Sequence, residues 1–521
     1  MAADSRPFAG RLGEWTAIAW RDALALLAGL ALPAAFAPWS WWWLSVVSPA
    51  VLMALWAGTA SPRQAARLGL LHGLGTFAAG TWWLVISIHG FGQAPLPVAL
   101  LLLALLVLLM ALYYAALGYG VRRWLPRGPG PGLLLAVPAA WTLAEWLRGW
   151  LFSGFPWLSL GFAHTDSPLA GFAPVLGVHG TSFIVLLVAA GLVVAVHRRG
   201  RWRWIALAVA ALPWPAGFML HHVAWTQPRG QAFPVAVLQG AVPQDQKWEA
   251  GNLQRTLDLY EALNTQALGA RLILWPEAAI PDLVNLHPRY VARVWRDARA
   301  AGSTLVLGVV RVEEDGETYH NSLLSLADEA SFYDKHHLVP FGEFFPVPQF
   351  VRHWLRMMDL PYSDFARGGA GQPPLAGGGD LLLGAGICYE DAYPSTQRSA
   401  TRASGLLVNV TNDAWFGKAG ARHQHFQITR FRAMESRRFM LRAANDGISA
   451  VIGPDGAVVA QAPQFEPAVL RASVQRRHGD TPWLATGNLP LLLLCAALVA
   501  VAAWRQRAAV AAGLNPPLPG A

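Results

Sequence analysis

The sequence predicts two joined architectures: a polytopic α-helical membrane domain of about eight transmembrane helices, and an α/β domain inserted before the last of them. Three observations carry this. Of 521 residues, 54% are hydrophobic and only 14% charged, where a soluble domain carries about 25% charge. Apolar stretches near the length of a bilayer crossing, roughly 20 residues, recur from Arg21 to Val223 and once more near the C-terminus. Between them, about 250 residues of ordinary composition alternate short apolar runs with helical patterns, which argues a layered α/β fold.

The expected spans are 22–37, 43–60, 68–88, 96–120, 132–147, 172–196, 204–220 and 484–504. The first also resembles a secretory signal ending in Ala35-Phe36-Ala37, but Pro38 would follow the scissile bond, so the span is expected to be retained. Cytoplasmic loops collect Lys and Arg. Arg6, Arg11, Arg21, Arg63, Arg67, Arg122, Arg123, Arg127, Arg198, Arg199, Arg201, Arg203, Arg505 and Arg507 fall on one side, against Arg148 in the short loops of the other. Both termini are therefore expected inside, and the inserted domain outside, in a bacterial periplasm. Of 25 Trp, 18 precede residue 229, as expected of an interfacial aromatic belt. Glu145 and Arg148, one turn apart, read as an ion pair.

The expected domains are 1–226, with seven helices; 227–480, the outer domain; 481–507, the eighth helix; and 508–521, a disordered tail. The formal charge of +9 divides along the same line. The outer segment holds 25 Lys+Arg and 26 Asp+Glu, and the remainder 15 and 5. The basic excess thus marks orientation in a membrane and excludes a nucleic-acid reading.

Within the outer segment, strands are expected at 234–239, 271–275, 304–309, 321–326, 330–334, 381–388, 405–411, 448–452, 457–461 and 468–473. Helices are expected at 252–268, 287–301, 394–403 and 423–438, with a hairpin turn at Gly453-Pro454-Asp455-Gly456. Only two Cys exist: Cys495 lies within the last apolar stretch, and Cys388 ends an apolar run followed by Glu390 and Asp391. Strand ends beside loops are where α/β folds place reactive groups. Two more apolar runs stop at Trp275-Pro276-Glu277 and at Asp334-Lys335, with Glu343 eight residues on. A carboxylate, an ammonium and a thiol can serve as base, oxyanion stabiliser and nucleophile. No metal site is expected, since His221-His222, His336-His337 and His423/His425 lack a third ligand at recognisable spacing.

The ordered motifs Trp275-Pro276-Glu277, Asp334-Lys335-His336-His337-Leu338-Val339-Pro340-Phe341-Gly342-Glu343 and Gly386-Ile387-Cys388-Tyr389-Glu390-Asp391 resemble the Glu-Lys-Cys signature of the nitrilase superfamily of carbon–nitrogen hydrolases. Stretches 407–417 and 423–452, with the placement of the spans, are similar to its membrane branch, the apolipoprotein N-acyltransferases. The resemblance implies a four-layer αββα sandwich with Glu277 as base, Lys335 as oxyanion stabiliser and Cys388 as nucleophile. It further implies that Glu343 supports them and that Tyr389, Glu390, Trp248 and Trp415 lie near the acyl site. The implied partners are a phospholipid acyl donor, a diacylglyceryl apolipoprotein acceptor and the membrane, with no cofactor and no nucleic acid. The apolar stretch around 344–362 reads as a lid dipping into lipid or a core-covering helix. A membrane-tethered amidase with the same triad is the nearest rival. A transporter with a solute-binding outer domain fits less well, since its spans would need ionisable residues along a pathway.

Overall fold

The computed structural model describes residues 8–513, except 127, 341 and 345–363. It separates into two compact units, one of 1–172, 178–221 and 488–521 and the other of 222–487 with 173–177.

The first unit is helical. Helices occur at each expected span: Phe8–Ala31, Leu44–Ala57, Pro62–Thr81, Leu96–Trp124, Val137–Arg148, Ala173–His197, Arg201–His221 and Leu489–Ala511. Among the described residues, four stretches are long and apolar enough to cross a membrane: Leu96–Trp124, Pro168–His197, Arg201–His221 and Leu489–Ala511. The others fall short for different reasons. Leu44–Ala57 and Val137–Arg148 have 14 and 12 residues. Pro62–Thr81 is long enough but rich in Gly, and those glycines are packing devices. A Cβ on Gly69 would lie 2.2 Å from the Tyr114 carbonyl oxygen, and one on Gly73 would lie 2.7 Å from Ala111 Cα. Small residues at this spacing let two helices touch backbone to backbone.

Two expectations for this half are corrected. The tail was expected to begin at Ala508, but residues 508–511 continue the helix Leu489–Ala511, where the main chain keeps its hydrogen-bond ladder; 514–521 lie outside the described residues. Glu145 and Arg148 bond elsewhere rather than to each other. Glu145 accepts from Ser182 Oγ at 2.5 Å and Leu160 N at 3.1 Å. Arg148 donates to the carbonyls of Phe155 and Trp157 at 2.5 and 2.7 Å. Each thus satisfies main-chain or hydroxyl groups that an i,i+3 ion pair would leave bare. Cys495 packs beside Ala139, Phe183 and Leu491 in a small apolar cluster.

The second unit is a sandwich of two six-stranded sheets. In chain order its strands are β1 Phe233–Gln239, β2 Leu272–Leu274, β3 Thr304–Val312, β4 Tyr319–Leu326, β5 Ala330–Asp334, β6 Leu375–Ala376, β7 Leu382–Ile387, β8 Leu406–Thr411, β9 Met440–Ala444, β10 Ala450–Ile452, β11 Val458–Gln461 and β12 Ala468–Val474. One sheet runs β12-β1-β2-β3-β4-β5, and the other β11-β10-β9-β8-β7-β6. At the centre of each, β1-β2-β3 and β7-β8-β9 are parallel. Parallel strands buried on both faces need apolar side chains at both parities, and the sequence supplies them. Val235 and Val237 face the opposing sheet with Leu383, Ile387, Val408 and Leu441. Ala236 and Leu238 face outward onto helices α1 (Leu253–Ala267) and α2 (Pro288–Ala300). On the far side, Leu407, Met440, Ala450 and Ile452 meet Phe426 and Ala433 of helix α4 (Ala421–Ser436), which follows the short α3 (Arg398–Ala403). The αββα layering matches the expectation.

Strand β9 has no counterpart among the expected strands. Its sequence Met440-Leu441-Arg442-Ala443-Ala444 carries a charge at its centre, and a central strand is normally apolar. Arg442 is fully buried, and both of its terminal nitrogens are answered: Nη2 lies 2.8 Å from Asp413 Oδ2, and Nη1 lies 2.7 Å from Asn409 Oδ1 and 2.6 Å from Thr429 Oγ1. Removing one member of a buried ion pair strands the other. Arg442→Met is therefore expected to lower the unfolding free energy of the detergent-solubilised protein by about 3 kcal/mol or more. Denaturant unfolding measures this, and a loss under about 1 kcal/mol would show that Asp413 finds another partner.

Candidate active site

Three strand ends converge. Glu277 follows β2 by three residues, Lys335 directly follows β5, and Cys388 directly follows β7. In open α/β sheets the carboxyl ends of strands are where ligands bind. Gly308 of β3 allows this approach, because a Cβ there would stand 2.4 Å from the Pro276 carbonyl oxygen and 2.6 Å from Glu277 Cα.

Lys335 is the centre. Its side chain is 1% exposed, and Nζ lies 2.7 Å from Glu343 Oε1 and 3.4 Å from Glu277 Oε1. Burial opposes its charge, but Glu343, Glu277 and the Cys388 sulfur outweigh burial and hold its pKa above the ordinary lysine value. Lys335 is therefore a fixed cation. The two carboxylates are also fixed. Asn321 Nδ2 of β4 donates to Glu277 Oε1 at 2.7 Å and to Glu343 Oε1 at 3.0 Å. The backbone N–H of Asn412 donates to Glu277 Oε2 at 2.8 Å, and that of Val339 to Glu343 Oε2 at 2.8 Å. Glu343 thus lies against the Lys335 ammonium on the same amide that holds Glu277.

Cys388 is half-buried and adopts φ 52°, a left-handed conformation that costs a non-Gly residue about 1 kcal/mol or more. Burial first, and Glu277 second, push its thiol well above the ordinary value, while Lys335 pulls it down. In the resting state it is a neutral thiol that needs a base.

Glu390 stands two residues after Cys388. It is buried, and its carboxylate is spent on the protein. Oε1 accepts from His336 N at 2.8 Å and His337 N at 3.1 Å; Oε2 accepts from Ile387 N at 2.9 Å. Tyr333 Oη and Gln397 Nε2 complete the set at 3.0 and 3.1 Å. Glu390 therefore ties the Lys335 loop to the Cys388 turn. Burial raises its pKa, and the backbone donors oppose that rise. Tyr389 packs edge-on against Tyr393, which stacks on His337 at 4.0 Å between ring centroids. Trp248 and Trp415 are each 39% exposed. Trp248 adjoins Lys247, whose ammonium lies 5.9 Å from its ring, and Trp415 sits in the turn Asp413–Phe416 just after Asn412. Beyond Phe344, which is buried, the proposed lid lies outside the described residues.

Several residues escaped the sequence reading. Lys247 is buried and donates to the Glu277 carbonyl oxygen at 3.1 Å, with burial pushing its pKa down to about 8. Its only signal was adjacency to Trp248. Asn321 and Asn412 gave no signal, because an amide inside a strand or just after one reads as ordinary. His425 and Asp413 pair at 2.8 Å within 3.0 Å of the Cys388 carbonyl oxygen.

The sandwich thus brings a carboxylate, an ammonium and a thiol together on converging strand ends, and its fold and site define it by class. Residues 234–480 match that class, the carbon–nitrogen hydrolases. Residues 28–191 match a second description, the apolipoprotein N-acyltransferase N-terminal domain. The apolipoprotein N-acyltransferase of Chromobacterium violaceum is 40% identical over 93% of this chain and 94% of its own length. Those of Methylococcus capsulatus and Ralstonia nicotianae are 40% and 41% identical over 93% and 98% of this chain, and over 96% and 99% of their own. The chain belongs to the apolipoprotein N-acyltransferase family.

The electrostatics give a direct test. Because burial, and after it Glu277, raise the Cys388 thiol pKa while Lys335 lowers it, alkylation by iodoacetamide should still be climbing above about pH 10, where an ordinary thiol has levelled off. Lys335→Met should shift the climb further up in pH. An unchanged profile in that variant would show that the ammonium does not act on the sulfur.

Proposed function

We propose that this protein transfers an acyl chain from a phospholipid to the α-amine of a diacylglyceryl-modified N-terminal Cys on a lipoprotein, through a thioester on Cys388. The observation that carries this reading is the buried Lys335 ammonium between Glu277 and Glu343 at the strand ends that also present Cys388. Family membership supports a lipoprotein acceptor and a membrane context; the phospholipid donor is part of the proposal.

The steps follow from the charges. Glu277 accepts the Cys388 proton, which the raised thiol pKa makes necessary. The sulfur attacks the ester carbonyl, and Lys335, a cation throughout, stabilises the oxyanion. Collapse breaks the ester C–O bond, Glu277 returns its proton to the leaving oxygen, and a lysophospholipid departs. The lipoprotein amine then attacks the thioester, Glu277 takes the amine proton, and collapse forms the amide and expels the thiolate, which regains that proton. Two substrates through one covalent intermediate imply ping-pong kinetics.

Both substrates are anchored in a bilayer by their own acyl chains, which accounts for a catalytic domain joined to a membrane unit. We place the protein in the bacterial inner membrane with eight crossings, both termini cytoplasmic and residues 227–480 periplasmic, on the asymmetry of the arginines.

Purified protein incubated with phospholipid and quenched in acid should carry an acyl mass adduct on Cys388. Wild type without an adduct, or Cys388→Ala with one, would sink the thioester. Glu277→Gln is expected to lower the rate of adduct formation by at least about 100-fold; adduct formation at the wild-type rate would remove Glu277 from the role of base.

A further inference from the structure

His425 lies on α4, buried, with each ring nitrogen on an acceptor. Nδ1 is 2.8 Å from Asp413 Oδ1, and Nε2 is 3.0 Å from the backbone carbonyl oxygen of Cys388. A carbonyl oxygen only accepts, so Nε2 donates to it. Burial alone would raise the Asp413 carboxyl, but Arg442 and His425 outweigh it and hold the group far below the carboxylate range, so Oδ1 accepts as well. Nε2 therefore carries the proton that reaches the Cys388 carbonyl. Arg442 Nη2 also approaches Nδ1 at 3.1 Å while donating to Asp413 Oδ2 at 2.8 Å. Asp391 completes the surroundings, 3.6 Å from Arg442 and bonded by Thr429 Oγ1 at 2.6 Å. Arg442 thus stands between the carboxyl groups of Asp413 and Asp391, an arrangement that a buried cation requires.

This cluster is aimed at one peptide. The Cys388–Tyr389 bond is trans, so the Tyr389 N–H leaves on the side opposite the carbonyl that His425 holds. That amide is one residue from the attacking sulfur. A hydrogen bond to the carbonyl of a peptide also polarises the peptide and strengthens its N–H as a donor.

We propose that His425 is a positioning residue for acylation. Through the Cys388 carbonyl it holds the left-handed backbone of Cys388 and turns the Tyr389 N–H toward the oxygen of the attacked carbonyl, opposite Lys335. The proposal rests on the acyl-enzyme reading above, and its test separates the two.

Two reagents distinguish positioning from mere support. A p-nitrophenyl ester acylates Cys388 through a tetrahedral oxyanion and needs no lipid, whereas iodoacetamide alkylates the same sulfur with no oxyanion. In His425→Ala, the nitrophenolate burst rate should fall about 100-fold while alkylation changes less than about threefold. In His425→Gln, whose carboxamide nitrogen can donate to the same carbonyl, the burst should recover at least about tenfold. An unchanged burst in His425→Ala, or a burst and an alkylation rate that fall together, would overturn the proposal. Should His425→Ala fail to fold, His425→Gln decides alone: a near-normal burst supports the role, and a lost burst with intact alkylation overturns it. Wild type that bursts with the ester but takes no acyl group from phospholipid would instead overturn the phospholipid donor reading and leave the His425 result standing.

Discussion

A buried ammonium organises the catalytic half of this protein. Lys335 is nearly inaccessible, and the effective penalty for burying such an ion is several kcal/mol unless opposite charge and hydrogen bonds answer it. Two carboxylates answer it, and each must itself be held. Glu343 is held by Val339 N within its own loop, Glu277 by Asn412 N from the other sheet, and both by Asn321. One ion thereby fixes the relative positions of the loops after β2, β5 and β8. The set carries one positive and two negative charges, and its net charge acts on the neighbouring sulfur. Burial first, and Glu277 after it, keep Cys388 protonated at rest, while Lys335 opposes them.

Around this set, buried polar clusters do geometric work that ion-pair strength would not explain, since such pairs roughly break even against apolar packing. Glu390 gathers three backbone N–H groups from two loops, and these donors leave it no capacity to act on substrate. Asp413, His425, Arg442 and Asp391 sit on the opposite side of the Cys388 turn. The turn is thus clamped between a carboxylate that holds the N–H of Ile387 and the His425 ring, which holds the carbonyl of Cys388. A left-handed nucleophile persists only where its surroundings over-determine it, and these two clusters do so from two directions.

The sandwich was legible because its strands obey a local rule: short apolar runs bounded by turn residues, with the three reactive groups marked by abrupt stops at Pro276-Glu277, Lys335 and Cys388. What escaped is what tertiary context creates. β9 hides behind Arg442, whose charge argues against a central strand until Asp413, Asn409 and Thr429 are seen around it. Asn321 lies within a strand whose alternation gives no sign that one amide serves two carboxylates. Nothing local shows that the Glu390 carboxylate holds the N–H groups of Ile387, His336 and His337, which only the fold brings together. His425 was set aside for want of a third metal ligand, although its partners are a carboxylate and a carbonyl.

The membrane half shows why composition alone counts spans imperfectly. The demand for apolar side chains comes from lipid-facing surface, whereas helix-to-helix contact in a bilayer rewards small residues. Pro62–Thr81 meets the second demand through Gly69, Gly73 and Gly75, which bring its backbone against Tyr114, Ala111 and the helix Phe8–Ala31. The same substitutions of Gly for Leu that permit contact remove the hydropathy by which a span is recognised. The helix Leu96–Trp124 shows the converse: only 22% of its most apolar window is buried inside the protein, and it is Leu-rich throughout. A helix that turns its sides to lipid announces itself in sequence, and one that turns them to its neighbours is found only through what it touches.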